Sequence, residues 1–274
     1  MESSMFPDDW TGVLKVAIKA CREGRRVLLD HFGRLQQIEK KFQAGLVSEA
    51  DRLAEQVIGR TLKHHYPQIE ILGEEAFAAG ERVPMVPAGP RGRWILDPLD
   101  GTTNYIHRFP IYCISLALEV NSDLKIAVID VPVLGETYTA IRGRGAFVNG
   151  RPLRVSETDR LEDSLLATGF FAEDKEGLKE QVDLFTRVVG DARGVRRAGA
   201  AAYDLCQVAS GVFDGFWERN LKPWDVAAGQ LLVEEAGGQI VTYEGGPHDP
   251  YSAQIVAGNK KIVPLLVERF QSKK

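Results

Sequence analysis

The stretch WILDPLDGTTNY, residues 94–105, decides both the fold and the chemistry that we expect of this chain. An apolar strand runs out before two aspartates, Asp97 and Asp100, which lie on either side of a proline. Proline fixes φ and lacks an N–H donor, so the turn is stiff, and both aspartates and the Leu99 carbonyl are able to face one point. Oxygen ligands of this kind favour Mg²⁺ or Mn²⁺ over zinc. The alternative is an Asx-type turn with two solvated aspartates.

Two further segments also bring acidic side chains to the ends of predicted elements. Glu74 and Glu75 follow a short strand at 69–72, and Asp225 opens an apolar helix at 225–236. Several carboxylates held together repel one another unless a divalent cation neutralises them. Taken singly, Asp225 is better explained as a helix N-cap, and Glu74 or Glu75 as an exposed turn. The convergence of three segments at element boundaries favours a metal site.

The pattern of apolar residues divides the chain into two halves. Up to about residue 155 two helices are followed by alternating strands, which indicates helices on a mainly antiparallel sheet. The second helix starts near Ser48, whose S-x-x-D arrangement with Asp51 is typical of a capping box. Helices and strands alternate afterwards. We therefore predict an α/β (α+β) protein, with most metal ligands in an N-terminal half, 1–155, and with Asp225 and substrate contacts in a C-terminal half, 156–274.

Composition narrows the possible partners and the compartment. The net charge is −4, without a block of consecutive basic residues, so neither nucleic acid nor an anionic membrane is expected to bind. Three widely spaced cysteines, Cys21, Cys113 and Cys206, favour buried free thiols. The start of the chain, MESSMFPDDW, lacks the features of a secretory signal, and no apolar run is long enough to span a membrane. A reducing cytoplasm is the expected location.

Two motifs resemble the signatures of a known family. The stretches WILDPLDGTTN at 94–104 and LKPWDVAAG at 221–229 are similar to the signature motifs of the inositol monophosphatase family. The S-E-A-D stretch at 48–51, G-E-E at 73–75 and R-R-A-G-A-A-A at 196–202 follow the family's order and approximate spacing. The resemblance implies a layered αβαβα sandwich of the sugar-phosphatase type, commonly a homodimer, that uses Mg²⁺ and is inhibited by lithium.

The resemblance also implies a set of metal ligands. One metal would be held by Glu74, Asp97 and the Leu99 carbonyl, and a second by Asp97, Asp100 and Asp225. A weaker third metal would also use Glu74. Two or three Mg²⁺ ions per site are therefore expected, with Mn²⁺ as an alternative.

Phosphate and water contacts follow from the same motifs. Gly101 and Thr102 would offer backbone N–H groups to the phosphate, in keeping with the anion affinity of glycine-rich turns at helix starts. Thr102, hydrogen-bonded to Asp51, would orient the attacking water, and Asp51, Thr102 and Glu74 are the expected catalytic residues. Asp51 is also explained as a helix cap, and the two roles do not exclude each other.

The substrate side is assigned by resemblance alone. Hydroxyl groups of a phosphorylated polyol or sugar would meet Asp100, the backbone near Ala201 and Glu218, with Lys222 approaching a phosphate. An exposed charge is an equal explanation of Glu218. Lys41 and Arg196 match basic positions of the family. The loop at 76–92 has no assigned role, with gating of access and metal binding as the options.

Three substrates and one different class of function remain open. The expected substrate is myo-inositol monophosphate, with fructose 1,6-bisphosphate as the second choice and adenosine 3′,5′-bisphosphate as a third. The different class is a non-catalytic or additional role as an interaction protein in a transcription complex, because a bacterial member of the family joins one. Retention of every acidic metal position argues for catalysis.

Overall fold

The structure is a computed structural model that describes residues 9–40, 46–171 and 174–272. Lys41, singled out above as a basic position, lies outside the described residues. The helices of the described part are α1 (Thr11–His31), α2 (Glu49–His65), α3 (Glu74–Ala78), α4 (Thr102–Ile106), α5 (Lys175–Val189), α6 (Ala201–Ala209), α7 (Pro223–Glu235) and α8 (Ile262–Gln271), with a 3₁₀ turn at Leu161–Asp163.

The strands form two large sheets and one hairpin. They are β1 (Ile38–Lys40), β2 (Leu46–Ser48), β3 (Glu70–Gly73), β4 (Arg93–Asp100), β5 (Cys113–Val120), β6 (Asp123–Val131), β7 (Glu136–Ile141), β8 (Ala146–Val148), β9 (Arg151–Pro152), β10 (Leu165–Thr168), β11 (Gly194–Arg196), β12 (Gly215–Arg219), β13 (Gln239–Val241) and β14 (Gln254–Gly258). The larger sheet has the order β3-β4-β5-β6-β7-β8-β9, and the smaller has the order β11-β10-β12-β14-β13. Strands β1 and β2 pair separately.

Both large sheets combine parallel and antiparallel pairs of strands. In the larger sheet β3 and β4 run parallel, and every later pair of neighbours is antiparallel. Helix α4 lies in the connection between β4 and β5, and short turns join the strands from β5 to β9. In the smaller sheet β11, β10 and β12 run parallel, and β14 and β13 complete it in antiparallel fashion. The predicted antiparallel first half and alternating second half are both present.

Five layers alternate through the molecule. Helices α1 and α2 pack on one face of the larger sheet, α6 and α7 lie between the two sheets, and α5 and α8 cover the outer face of the smaller sheet. Because α7 is covered on both sides, it is apolar almost all round instead of carrying one stripe. For the same reason β5, which was expected to alternate, is buried along its whole length. The predicted layered αβαβα sandwich is confirmed.

The structure differs from the sequence expectation around residue 97. The strand does not run out before Asp97, because β4 continues to Asp100 across a register shift that accommodates Pro98. The short helices α3 and α4 were not predicted, since five residues are too few to show a helical period.

Other expectations concern the thiols, the domain boundary and membranes. Cys21, Cys113 and Cys206 are buried and free, as predicted. A boundary between residues 155 and 156 stays a prediction; it falls between the two sheets, although α6 and α7 share a core with both. Among the described residues no helix is both long and apolar enough to cross a membrane.

Candidate active site

The larger sheet brings two of the acidic segments to one edge. Strands β3 and β4 are parallel neighbours, and Gly73 pairs with Leu96. The next residues, Glu74 at the start of α3 and Asp97 within β4, therefore lie side by side. The side chain of Asp97 is 2% exposed, and its Oδ1 accepts a hydrogen bond from the backbone N–H of Leu99 at 2.8 Å.

Helix α3 is held at this edge by Glu55 of α2. The carboxylate of Glu55 accepts hydrogen bonds from the N–H of Glu75 at 2.9 Å and from the N–H of Ala76 at 2.8 Å. It thereby satisfies first-turn donors that have no partner within the helix. Gly73 makes room for it, because an added Cβ would lie 2.6 Å from Glu55 Oε2. Glu55 thus fixes the start of the helix that carries Glu74.

The third acidic segment is tied to the same strand edge. Asp225 lies in the first turn of α7, and its Oδ2 accepts from the backbone N–H of Lys222 at 2.6 Å. Ser115, which pairs with Asp97 across β4 and β5, donates its hydroxyl proton to the carbonyl of Trp224 at 2.8 Å. Asp225 is therefore not the N-cap that the sequence suggested: α7 begins at Pro223 after the N-cap residue Lys222, and Asp225 accepts the backbone N–H of that cap while lying beside the other acids.

Burial and mutual repulsion perturb these carboxylates. Burial, followed by the charges of Glu74, Asp100 and Asp225, raises the pKa of Asp97 well above its usual range. Burial raises the pKa of Asp100 to about 6, against the opposing effect of a hydrogen bond from the N–H of Ala202. Burial and the charges of Glu74 and Asp100 raise the pKa of Asp225. Such a group is costly to keep ionised without a counter-charge.

The chemistry of the donor set suits a hard cation. As the side chains lie, no group of three His, Cys, Asp or Glu residues in the described ranges 9–40, 46–171 and 174–272 is arranged to hold a metal ion. Asp97, Asp100 and Asp225 each give one oxygen to a backbone N–H. Each carboxylate has a second oxygen, and the charge of a divalent cation would offset the repulsion between them.

Asp51 divides its two carboxylate oxygens between two partners. Oδ2 accepts from the backbone N–H of Ser48 at 2.9 Å and from its hydroxyl at 2.5 Å, which completes the predicted capping box of α2. Oδ1 accepts from the hydroxyl of Thr102 at 3.0 Å. Asp51 is 1% exposed, so both contacts are shielded from water. The structural and the catalytic explanations of Asp51 are satisfied by different oxygens.

The turn before α4 depends on Gly101. Its φ of 91° is a left-handed value, and an added Cβ would lie 3.0 Å from the carbonyl oxygen of Ile111. Asn104 then donates to the carbonyls of Ile111 at 2.7 Å and of Ala198 at 2.8 Å. These bonds hold α4, with Thr102 at its start, against the segment that leads into α6.

A cavity of about 130 Å³ opens beside the acids. The residues that line it come from both sheets and from the central helices: Asp100, Gly169, Arg197, Gly199, Ala200, Ala201, Asp204, Glu218, Leu221 and Asp225. Asp100 borders it with an oxygen bonded to the N–H of Ala202 at 2.7 Å. Burial raises the pKa of Glu218 to about 8, although Arg197 lowers it. Glu218 therefore lines the cavity and is not the ordinary exposed charge that was the alternative explanation.

Two basic positions lie away from this cavity. The side chain of Lys222 is exposed and borders a neighbouring cavity with Met85 and Tyr251, and Arg196 is exposed.

The loop at 76–92 is pinned to the larger sheet, because Arg93 donates to the carbonyls of Pro84 and Val86, each at 2.8 Å.

Sequence reasoning missed four residues that shape the site. Glu55 resembles an ordinary polar residue of an amphipathic helix, and Gly169 an ordinary turn glycine. Asp204 and Arg197 gave no spacing signal, because only the fold brings them to the cavity of Glu218. The one available hint was the position of Arg197 and Asp204 within and just after the R-R-A-G-A-A-A stretch.

Proteins of one family resemble this chain over nearly its whole length. The model of the inositol monophosphatase family matches residues 9–274. The inositol-1-monophosphatase of Rhizobium meliloti is 42% identical over 267 residues, which cover 95% of this chain and 97% of the relative. The Nus factor SuhB of Pseudomonas aeruginosa is 41% identical over 264 residues, covering 94% of this chain and 96% of the relative.

A solved structure agrees in fold. The crystal structure of extragenic suppressor protein suhB from Bartonella henselae superimposes with a TM-score of 0.87 at 37% identity, covering 96% of this chain and 100% of that chain. The predicted family, layered fold and enzyme class are thereby confirmed. The chain belongs to the inositol monophosphatase family, and it is a phosphoric monoester hydrolase by class.

Proposed function

We propose that this protein hydrolyses myo-inositol monophosphate to inositol and phosphate with Mg²⁺. The observation that carries the proposal is the meeting of Asp97 and Asp100 of β4 with Asp225 of α7, where the charges of Asp100 and Asp225 help to raise the pKa of Asp97. A buried acidic cluster of this kind is suited to divalent cations, and the hydrogen bond between Thr102 and Asp51 lies next to it.

The ligands of two cations would be Glu74, Asp97, the Leu99 carbonyl, Asp100 and Asp225, with Glu74 shared by a weaker third. When bound, the cations neutralise phosphate oxygens and lower the pKa of the attacking water. Mg²⁺ is preferred because every donor is oxygen, and Mn²⁺ is the alternative.

Thr102 is suited to orient the attacking water. A hydroxyl has one proton, and the Thr102 hydroxyl lies 3.0 Å from Asp51 Oδ1 and 3.1 Å from the Leu99 carbonyl. If the Leu99 carbonyl binds a cation, Asp51 is left as the acceptor of the Thr102 hydroxyl proton. The lone pairs of the Thr102 hydroxyl then accept a hydrogen bond from water. The water is thereby linked to the Asp51 carboxylate by a chain of two hydrogen bonds, with Thr102 between them. The N–H groups of Gly101 and Thr102, at the start of α4, would bind the phosphate.

The cavity lining supports a neutral polyol as the leaving group. Among the residues that the structure describes, the cavity is lined by four acids and one guanidinium, which are Asp100, Asp204, Glu218, Asp225 and Arg197. Carboxylates accept hydrogen bonds from hydroxyl groups, whereas they repel a second phosphate. The lining therefore favours inositol monophosphate over fructose 1,6-bisphosphate or adenosine 3′,5′-bisphosphate. Contacts of the polyol with the backbone at Ala201, and of a phosphate with Lys222, belong to the same proposal.

The test is phosphate release from inositol 1-phosphate, fructose 1,6-bisphosphate and adenosine 3′,5′-bisphosphate, with and without Mg²⁺. Asp97→Asn is expected to lower release by a factor on the order of 10²–10³, because it removes a central stabilising charge. Asp163→Asn, an exposed carboxylate bonded to Arg193, is the matched control and should leave activity unchanged. A clear preference for either bisphosphate would overturn the choice of substrate, and release unaffected by Mg²⁺ or by Asp97→Asn would overturn the mechanism.

A role in a transcription complex is the second candidate, favoured by the 41% identity to the Nus factor SuhB of Pseudomonas aeruginosa. Asp97→Asn protein separates the two roles, because it should lose hydrolysis and keep its outer surface. Recovery of transcription proteins on immobilised Asp97→Asn protein would support this role, and recovery of none would count against it.

Assembly and location complete the proposal. A cytoplasmic homodimer sensitive to lithium is expected from the family resemblance. Sedimentation equilibrium at micromolar concentration tests the dimer, and titration of the Mg²⁺-dependent rate with LiCl tests inhibition.

A further inference from the structure

One acidic residue that lines the cavity, Asp204, has no individual contact assigned to it in the proposed function. It lies on α6, three residues after Ala201, and is 1% exposed. Its Oδ1 atom is buried and accepts no hydrogen bond from any residue that the structure describes. A buried carboxylate oxygen without a hydrogen-bond donor is unfavourable. A ligand that brings a donor into the cavity would therefore be stabilised by a hydrogen bond to Asp204.

A second carboxylate, that of the partly buried Glu218, borders the same cavity. Glu218 lies at the end of β12, where Trp217 pairs with Thr168 of β10, and its carboxylate lies against Gly169. An added Cβ on Gly169 would overlap that carboxylate. In the described part of the chain no donor is hydrogen-bonded to Glu218. Two acceptors from different layers thus border one space of about 130 Å³.

The charges around the cavity limit the chemical class of ligand that it can bind. Burial, then the charges of Glu218 and Asp100, hold the pKa of Asp204 well above its usual range, while Arg197 lowers it. An additional anionic group would be repelled by these three carboxyl groups, and the cations proposed above take their ligands from Asp100 and Asp225 on the other side of the site. A neutral ligand with several hydroxyl donors avoids this repulsion and supplies the donors that the carboxyl oxygens lack.

We propose that Asp204 is a specificity-determining residue that hydrogen-bonds to a hydroxyl group of the leaving alcohol, as a second acceptor beside Glu218. The inference rests on the proposed phosphatase function and deepens it. It commits the substrate to an alcohol with at least two hydroxyl groups besides the esterified one. A leaving group without hydroxyls gains nothing from Asp204.

The test compares two substrates in wild type and Asp204→Asn at saturating Mg²⁺. Inositol 1-phosphate carries hydroxyl groups on its leaving alcohol, and p-nitrophenyl phosphate carries none. The variant is expected to lower kcat/KM for inositol 1-phosphate by about 10-fold, mainly through KM, because asparagine replaces one of the two carboxyl oxygens with an NH₂ group that cannot accept a hydrogen bond. For p-nitrophenyl phosphate it should change kcat/KM by less than about 2-fold.

A matched control and a second variant guard against a purely structural effect. Asp214 is also buried in the second half of the chain, but its carboxylate accepts from the N–H of Leu165 at 2.7 Å and does not line the cavity. Asp214→Asn should affect both substrates equally. If Asp204→Asn does not fold, Asp204→Ser keeps the same test, with the same split between substrates expected.

The outcomes separate this inference from the proposed function. Equal losses on both substrates, or no loss on inositol 1-phosphate, overturn the role of Asp204 while the phosphatase function stands. Failure of wild type to release phosphate from either substrate overturns the proposed function itself. Monodeoxy inositol 1-phosphates give a second check: the penalty for removing one particular hydroxyl in wild type should disappear in Asp204→Asn.

Discussion

Thr102 donates its hydroxyl proton to Oδ1 of Asp51 across 3.0 Å, and Ser48 occupies Oδ2 of the same carboxylate. Thr102→Val keeps the shape of the side chain but removes the hydroxyl. We expect kcat for inositol 1-phosphate to fall by roughly 10²–10⁴, because the water loses its orienting acceptor. Thr102→Ser, which keeps the hydroxyl, is the control. A Val variant that retains more than about a tenth of wild-type kcat would exclude this role.

Glu55 offers a way to weaken the metal site from a distance. Glu55→Gln replaces one of two acceptors for the N–H groups of Glu75 and Ala76 with an NH₂ group. Loss of one charge-assisted bond should loosen α3, and the Mg²⁺ concentration for half-maximal activity is expected to rise about 5- to 10-fold. Glu268→Gln, on the exposed side of α8, should leave it unchanged. An unchanged Mg²⁺ requirement in Glu55→Gln would contradict the positioning role.

The raised pKa of Glu218 predicts that the stability of the substrate-free protein depends on pH. Its folded-state pKa of about 8 lies above the ordinary value of 4.5, so the folded protein holds this proton more tightly than the unfolded chain does. The free energy of unfolding should therefore fall as the pH rises from 4.5 to 8, and Glu218→Gln should remove that contribution. In thermal unfolding, Tm of the variant relative to wild type should increase between pH 5 and pH 8. A constant difference would refute the buried, protonated state.

Gly169 predicts a selective loss of substrate affinity. Because an added Cβ would overlap the Glu218 carboxylate, Gly169→Ala should push Glu218 out of its place. We expect KM for inositol 1-phosphate to rise about 10-fold, with little change for p-nitrophenyl phosphate. Gly12→Ala, where an added Cβ meets nothing within 4 Å, is the control. Similar losses on both substrates would mean that the substitution disturbs the fold instead.

The parts of the fold that could be predicted are those encoded by neighbouring residues. The capping box of Ser48 and Asp51 spans three residues, and the apolar helix after Asp225 is visible in the sequence as a continuous run. The course of β4 through Pro98 was not predicted, because the pairing with β5 and its register shift decide it, and neither is local.

The candidate site divides in the same way. The acids that follow strand ends were found because carboxylates at element boundaries stand out in the sequence. Asp204 and Gly169 were not found, since a helical aspartate and a turn glycine are common. They become informative only when α6, β10 and β12 meet at one cavity.

The five-layer arrangement also bears on how new activities arise from this scaffold. The acids expected to handle phosphate come mainly from the larger sheet and the start of α7, whereas Gly169 and Glu218 come from the smaller sheet and Asp204 from α6. The second group therefore lies on elements that carry none of the proposed metal ligands. Natural variation can therefore exchange one alcohol for another without rebuilding the reaction, so that the chemistry is inherited while the substrate evolves.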